Sequence, residues 1–457
     1  MSFLNQTLFK NVNSFSLGLF RFVFGAFMLI EMIYYLKSGF FKDSVMVPYY
    51  NFPYDYLEFI SPMGDSAMSF IHFMMGLSAI LIMIGYYSRW ASLLFFICFT
   101  YFLLCCRGLF NNHFYLFSLL SLLFVFLDAD RSFSIRPKNK AKEKVIPMWQ
   151  LNILRFQIVV VYFFGGVAKL THDWLVLKEP MRETLKSFSP NGFIPSELMV
   201  SLFNYGGLAF DLSIGFLLLF RRTRTVAIIG VVLFNLTNAI IFDDIAIFPF
   251  VMLGTIVLFL DPEGKAIVKI KSFFVNNRGP SIKRTSGEYH QISKPVILGV
   301  VVYVLFQVLF PLRHHLITDN VVWTGIARKF SWHMKVQQRT EKEISFLVKD
   351  KLGGEEIMVD YNFINQRINN LQIGHMSQSP VMAWQFANWL EKRLNKELKA
   401  QKNKSFKDLE IYCTIQTSFN GRPAQYIIDP SIDLTKAPYS PFGANTWIMP
   451  LKEYSSE

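Results

Sequence analysis

The sequence predicts a polytopic α-helical membrane protein of about nine transmembrane helices, followed by a β-rich α+β domain on the outer side of the bilayer. Three observations predict it. Of 457 residues, 52% are hydrophobic and 48 are Phe, while only 17% are charged, against about 25% in an ordinary soluble domain. The apolar residues come in blocks of bilayer length that stop near residue 312. The basic residues between the blocks are sorted by loop, which is a topology signal.

Taken in order, the blocks lie near 15–36, 66–86, 91–107, 112–128, 150–170, 200–220, 225–242, 245–260 and 293–312. The seventh and eighth are separated only by Asp243-Asp244, which suggests a broken or re-entrant pair. Seventeen Lys and Arg occupy the loops after the even-numbered spans, and six occupy the loops after the first, third, fifth and seventh. The positive-inside rule then puts the N-terminus in the cytosol and the C-terminal domain in the periplasm or lumen. The net charge of +13 reads as this loop bias and not as a nucleic-acid surface. The first apolar block carries Arg21 and Glu31 and lacks a cleavage-type signal sequence. Cys98, Cys105 and Cys106 share one block and Cys413 stands alone in the tail, so no disulfide framework is expected.

The chain divides into a membrane domain, 1–312, and an extracytoplasmic domain, 313–457. In the second, Glu343–Val348, Ile357–Tyr361, Leu409–Gln416 and Ala424–Ile428 have the β-branched and aromatic content of strands, and Ala383–Leu398 has helical spacing. A small α+β domain or a β-sandwich fits this pattern. The long outer loop Asp173–Leu198 is either a lid or a plain connector.

Polar groups inside apolar blocks are the candidates for chemistry, because an intramembrane charge costs roughly 2.5–3.5 kcal/mol on insertion scales. Arg21, Glu31, Arg155 and Asp211 read first as structural ion pairs between helices. Arg155 and Lys169 are 14 residues apart, about four turns, so one helix face would carry both. Lys169 ends its block after Gly165-Gly166. It is either an anchor reaching the headgroups or a base, since burial favours the neutral amine. His113 opens the fourth span behind Asn111 and Asn112, as an interfacial group or a proton-exchanging imidazole. No HxxH or HExxH spacing occurs, so no metal site is predicted.

Several segments, in order, resemble the vitamin K-dependent gamma-glutamyl carboxylase family, within the wider group of horizontally transferred transmembrane (HTTM) proteins. They are N-N-H-F-Y-L (111–116), V-Y-F-F-G-G-V-A-K-L-T-H-D-W (161–174), D-L-S-I-G-F-L-L-L-F (211–220), F-S-W-H-M (330–334), I-D-P-S-I-D (428–433), S-P-F (440–442) and T-W-I-M-P-L (446–451). The resemblance implies a carbon–carbon lyase. Lys169 would be the base for reduced vitamin K (menaquinol in a bacterium), assisted by His113. Oxygenation of the quinol by O2 yields a base strong enough to remove a glutamyl γ-proton, and the carbanion attacks CO2. The products are γ-carboxyglutamate and quinone epoxide.

It further implies quinol contacts at Asn112, Asn235, Asn238 and Met334. Glutamate contacts would come from Trp323, Ser331, Trp332 and Arg339 in the stretch 323–339. The protein partner would be a secreted or periplasmic glutamate-containing peptide. This sequence departs from the family pattern in carrying Asn235 for a common His, and Arg328 and Gln337 where animal enzymes carry Tyr and His. It also lacks their long C-terminal region. Beside the carboxylase reading stand two others: a quinol epoxidase that leaves glutamate unmodified, and a non-enzymatic protein binding an isoprenoid lipid or a secreted partner.

Overall fold

The computed structural model describes residues 9–135, 145–188, 194–242, 245–274, 293–317, 320–351, 354–359, 361–400 and 409–452. Among them are nine apolar helices: α1 (Phe15–Ser38), α2 (Asp65–Ile84), α3 (Ser88–Leu104), α4 (Asn112–Phe126), α5 (Trp149–Val167), α6 (Glu197–Leu219), α7 (Arg224–Ile241), α8 (Phe248–Phe259) and α9 (Lys294–Leu312). Six of the nine reach 18 residues or more; α3, α4 and α8 are shorter. Helix α8 is itself broken, as Phe248–Gly254 and Ile256–Phe259 about Thr255, a different place from the interruption expected at Asp243-Asp244. Asp243 and Asp244 themselves lie outside the described residues.

The helices pack in chain order, α1 on α2, α2 on α3, α3 on α4, then α5 on α6 and α6 on α7; α8 returns to α1 and α9 closes on α5. Without a hydrophobic drive between lipid-immersed helices, close backbone approach at small residues does much of this work. A Cβ on Gly25 would lie 2.4 Å from Met83 N, and one on Gly166 would lie 2.9 Å from Leu212 N. Gly215 faces Val159 Cα in the same way at 3.0 Å, so α5 and α6 touch at two levels.

The buried charges are not mutual ion pairs. Arg21 donates Nε to Ala129 O at 3.1 Å and Nη1 to Met83 O at 2.9 Å, and also reaches the Ile82 and Phe133 carbonyls. It therefore satisfies the C-terminal end of α2 and the segment after α4, where carbonyls lack helical partners. Glu31 lies one turn from Tyr35 on its own helix and has no ion pair among the described residues. Among the described residues, only Asp211 of the four has an ion pair, and its partner is Lys169.

Beyond α9 the chain forms one antiparallel sheet of order β4-β3-β5-β6: β3 (Arg339–Asp350), β4 (Glu356–Val359), β5 (Leu409–Phe419) and β6 (Gln425–Tyr426). The earlier pair β1 (Asn11–Asn13) and β2 (Val145–Pro147) ties the start of the chain to the approach to α5. Strand β5, expected from its β-branched and aromatic content, alternates buried and half-buried along its whole length. One face is covered by α10 (Pro380–Ala400), with Phe386 on Phe346 at 5.1 Å between ring centroids. Among the described residues the domain is thus α+β with a single sheet and not a sandwich.

This domain is stitched to the membrane domain. Arg107 makes a two-pronged pair with Asp55 at 3.1 Å, and Tyr439 donates to the same carboxylate at 3.0 Å. Asp173 accepts from both Arg422 Nη atoms, at 2.7 and 2.6 Å, and from Asn420 at 2.8 Å.

Candidate active site

The residues singled out by type converge on one cavity of about 880 Å³ between the helices and the sheet domain. Lys169, His113, Asn112, Asn235, Asn238 and Met334 all line it. Sequence reasoning left open whether Lys169 and His113 meet; they face the same space.

Lys169 is not on the face that helical extrapolation gave it. Helix α5 ends at Val167, and the next turn tightens, with Lys169 N donating to Gly166 O at 3.0 Å. The last turn therefore swings Lys169 into the cavity, while Arg155 faces a separate groove. Its ammonium is 6% exposed, pairs with Asp211 Oδ2, lies 3.4 Å from Gly165 O and sits 5.2 Å from the Trp174 ring. It is not an anchor reaching for headgroups. Gly165 explains the site's compactness: a Cβ there would stand 2.7 Å from Met334 Cε and 3.8 Å from Asp211 Oδ2.

Around this pair the walls are apolar, with Phe210, Phe234 and Phe248 among them. His113 is packed by Phe114, Phe117 and Phe248. Asn235 donates to Tyr162 Oη at 3.2 Å and to Val231 O at 2.9 Å, so its carbonyl oxygen is left for the cavity. Asn112 donates to His333 O at 3.0 Å, fastening α4 to the segment after α9, and its Oδ1 has no partner among the described residues. The loop after Lys169 contributes Trp174 and Met181 to the wall, so part of it does cover the cavity; residues 189–193 of that loop lie outside the described residues.

The glutamate-stretch residues behave differently. Trp323, Ser331, Trp332 and Arg339 do not line the cavity. Trp323 is buried with Nε1 donating to Met449 O at 2.7 Å. Trp332 stacks on Tyr115 at 4.9 Å, and Ser331 bonds Arg313 and Ala327 O. Arg339 sits 5.0 Å over both Trp323 and Phe419 and donates to the carbonyls of Val322 and Trp323; burial pulls its pKa down to about 9. The guanidinium is braced by these contacts, but its Nη1 is buried with no partner among the described residues, so one donor stays unused. These four hold the stretch in shape.

What that stretch presents to the cavity is Arg328, Lys329, His333, Met334 and Lys335, with Gln337. Burial lowers Arg328 only to about 10, so it stays charged at neutral pH, and it has no carboxylate in ion-pair reach among the described residues. Lys329 donates to Arg107 O at 2.5 Å, and burial moves it well below the ordinary lysine value. Burial likewise takes His333 to about 3 and His375 to about 4, so both line the cavity as neutral imidazoles. The residues missed by sequence reasoning are thus Asp211 as the partner of Lys169, and Arg328 with Lys329 as cavity cations. The signal for the first was present: one carboxylate in an apolar block demands a cation.

The cavity thus joins apolar walls with the Lys169–Asp211 pair, the Asn112 and Asn235 amides and Arg328. Comparison with known families identifies the two parts of the chain. Residues 9–263 match the HTTM domain, and residues 292–454 match the vitamin K-dependent gamma-carboxylase lumenal domain. The second match begins before α9 and so includes the last apolar helix. No solved structure matches the chain. With the two domains side by side and accounting for most of its length, the chain belongs to the vitamin K-dependent gamma-carboxylase family of HTTM membrane proteins.

Proposed function

We propose that the chain is a quinol-dependent glutamyl carboxylase that uses a vitamin K-type hydroquinone, menaquinol in a bacterium, with O2 and CO2, on peptides presented at the sheet-domain side. The observation that carries this is the Lys169–Asp211 pair, buried in a cavity with apolar walls that Arg328 also lines, with no carboxylate in ion-pair reach of it among the described residues. The residues fit the quinol: Phe walls for its ring and chain, and Asn112 Oδ1 and the Asn235 carbonyl as acceptors for hydroxyls. When bound, the quinol supplies through its oxygenation the strong base that glutamate γ-deprotonation requires.

The chain's own residues do the rest. A proton shift from Lys169 Nζ to Asp211 leaves an amine and a carboxylic acid with no change in net charge, a state that low dielectric favours over a separated pair. The neutral amine then takes the proton of a hydroxyl set beside it. His113 and Asn235 fix the ring end, and Trp174 with Met181 keeps water from the reacting atoms. Arg328 meets the substrate carboxylate, a charge-assisted contact. Trp323, Ser331, Trp332 and Arg339 support it indirectly by shaping the stretch that carries it.

A second reading, quinol epoxidation without glutamate carboxylation, is favoured by one observation: the four matched glutamate-stretch residues do not line the cavity. One experiment separates them. Purified protein is given menaquinol, O2, labelled bicarbonate and a Glu-rich peptide, and epoxide and peptide label are measured together, with Lys169→Ala as control. Both products in wild type and neither in the variant support the carboxylase. Epoxide alone selects the second reading, and quinol binding with neither product overturns both.

A further inference from the structure

A second concavity, of about 510 Å³, lies on the lipid side of α5, α6 and α9, away from the active-site cavity. Its walls are Phe156, Phe163, Phe216, Leu219 and Val308, and Asn152 and Arg155 line it too. Phe216 and Leu219 are each 43% exposed, so the groove is open to acyl chains along its length. Arg155 is only 7% exposed. Its Nε donates to Leu258 O at 2.7 Å, and its Nη1 to Asn152 Oδ1 at 3.0 Å with Met148 Sδ at 3.9 Å. Nη2 has no partner, and no carboxylate lies within ion-pair reach, among the described residues. The acid nearest in effect, Asp261, is taken by Arg221 at 3.0 Å. Arg224, which bonds Leu218 O and Leu219 O at the end of α6, adds positive potential at the same end.

A buried guanidinium with one unused donor and no counter-charge in a low-dielectric site calls for an anion. Here that anion must also suit a phenylalanine-lined groove facing hydrocarbon. A quinone brings no charge, and free phosphate leaves the apolar walls unfilled. We infer that the groove holds one acyl chain of an acidic phospholipid whose phosphate pairs with Arg155. The phospholipid braces α5, the helix that leads into Lys169, against α6 and α9.

The test is native mass spectrometry of the full chain released from nanodiscs of phosphatidylcholine with phosphatidylglycerol. Wild type is expected to retain phosphatidylglycerol in preference to phosphatidylcholine. Arg155→Gln should lower that retention about tenfold, the scale of one lost charge-assisted bond. Val308→Trp, which fills the groove and keeps Arg155, should lower it as well, and it carries the test if Arg155→Gln does not fold. Equal retention of both lipids by wild type, or full retention by either variant, overturns the assignment. So does displacement of the lipid by inorganic phosphate, because the phosphate alone would then be recognised.

Discussion

The buried Lys169–Asp211 pair makes a thermodynamic and a kinetic prediction that must come out together. Lys169→Met removes the ammonium and leaves a carboxylate that is 4% exposed with its ion partner gone. Breaking a buried pair from one side costs about 3–5 kcal/mol. Asp211→Asn should cost less. Gly165 O at 3.4 Å and the Trp174 face at 5.2 Å remain beside the ammonium it strands. The double change Lys169→Met/Asp211→Leu replaces the pair by apolar volume and should recover all but about 1–2 kcal/mol, since such replacements are often near neutral. Unfolding in mixed micelles, followed by circular dichroism, reads these three values. Epoxide formation read alongside should fall about 10²–10⁴-fold in both Lys169 variants, the usual range for a lost general base, and should not return in the double. Strictly additive stability costs would mean that the pair is not formed. A stable double variant with wild-type turnover would mean that the pair is structural and the base lies elsewhere.

Four further outcomes follow. Gly166→Ala should destabilise by about 1–3 kcal/mol, because its Cβ would meet Leu212 N at 2.9 Å. Gly165→Ala meets only the Met334 Cε tip, at 2.7 Å, and should cost less while disturbing turnover; thermal melts with epoxide assays check both. Arg422→Met should weaken the tie at Asp173 by about 1.5–3 kcal/mol and raise hydrogen exchange in 173–188 and at 419–422. Burial lifts the Glu179 carboxyl to about 7 despite Arg182 at 3.5 Å. The folded state therefore binds this proton more tightly than the unfolded chain, and stability falls as pH rises from about 4.5 to about 7. Glu179→Gln should remove that fall, gaining roughly 1–2 kcal/mol at pH 8 after allowance for solvent screening and little at pH 5, as melts at both values would read. Arg328→Met should raise KM for acidic peptides about 10-fold or more and leave KM for the quinol unchanged; the wild-type peptide KM should stay flat until pH nears 10, where Arg328 discharges.

What could be read from the sequence follows from how each feature is encoded. The apolar blocks mark helices because hydrocarbon tolerates no unpaired backbone, so composition alone forces the structure. Strand β5 was legible from the β-branched and aromatic content of Leu409–Gln416, residues that suit a pleated, half-buried surface. The centre of the site was legible in part: Lys169, His113, Asn111, Asn112, Asn235 and Asn238 stood out as polar groups in apolar surroundings, and all of them line the cavity. Their pairing was not legible. Asp211 is 42 residues from Lys169, and only the α5–α6 contact at Gly166 and Gly215 brings the two together.

The substrate side failed for a different reason. Between 327 and 335 four non-glycine residues, Ala327, Phe330, Trp332 and Lys335, adopt positive φ of 53°, 63°, 59° and 54°. Each costs about 1–2 kcal/mol for an L-residue and reverses the direction of the chain, so neither helical nor strand periodicity tells which side chains face inward. The stretch holds that shape because Trp332 and Trp323 are sunk to 0% and 1% exposure and because Arg339 is braced between rings. Trp323, Ser331 and Trp332 are thus spent on the loop's conformation, whereas His333 and Met334 of the matched segment and the two departures, Arg328 and Gln337, line the cavity. On this argument chemistry and specificity are encoded separately: the Lys169 end fixes the reaction, and a change of substrate needs only the residues displayed by an unchanged scaffold.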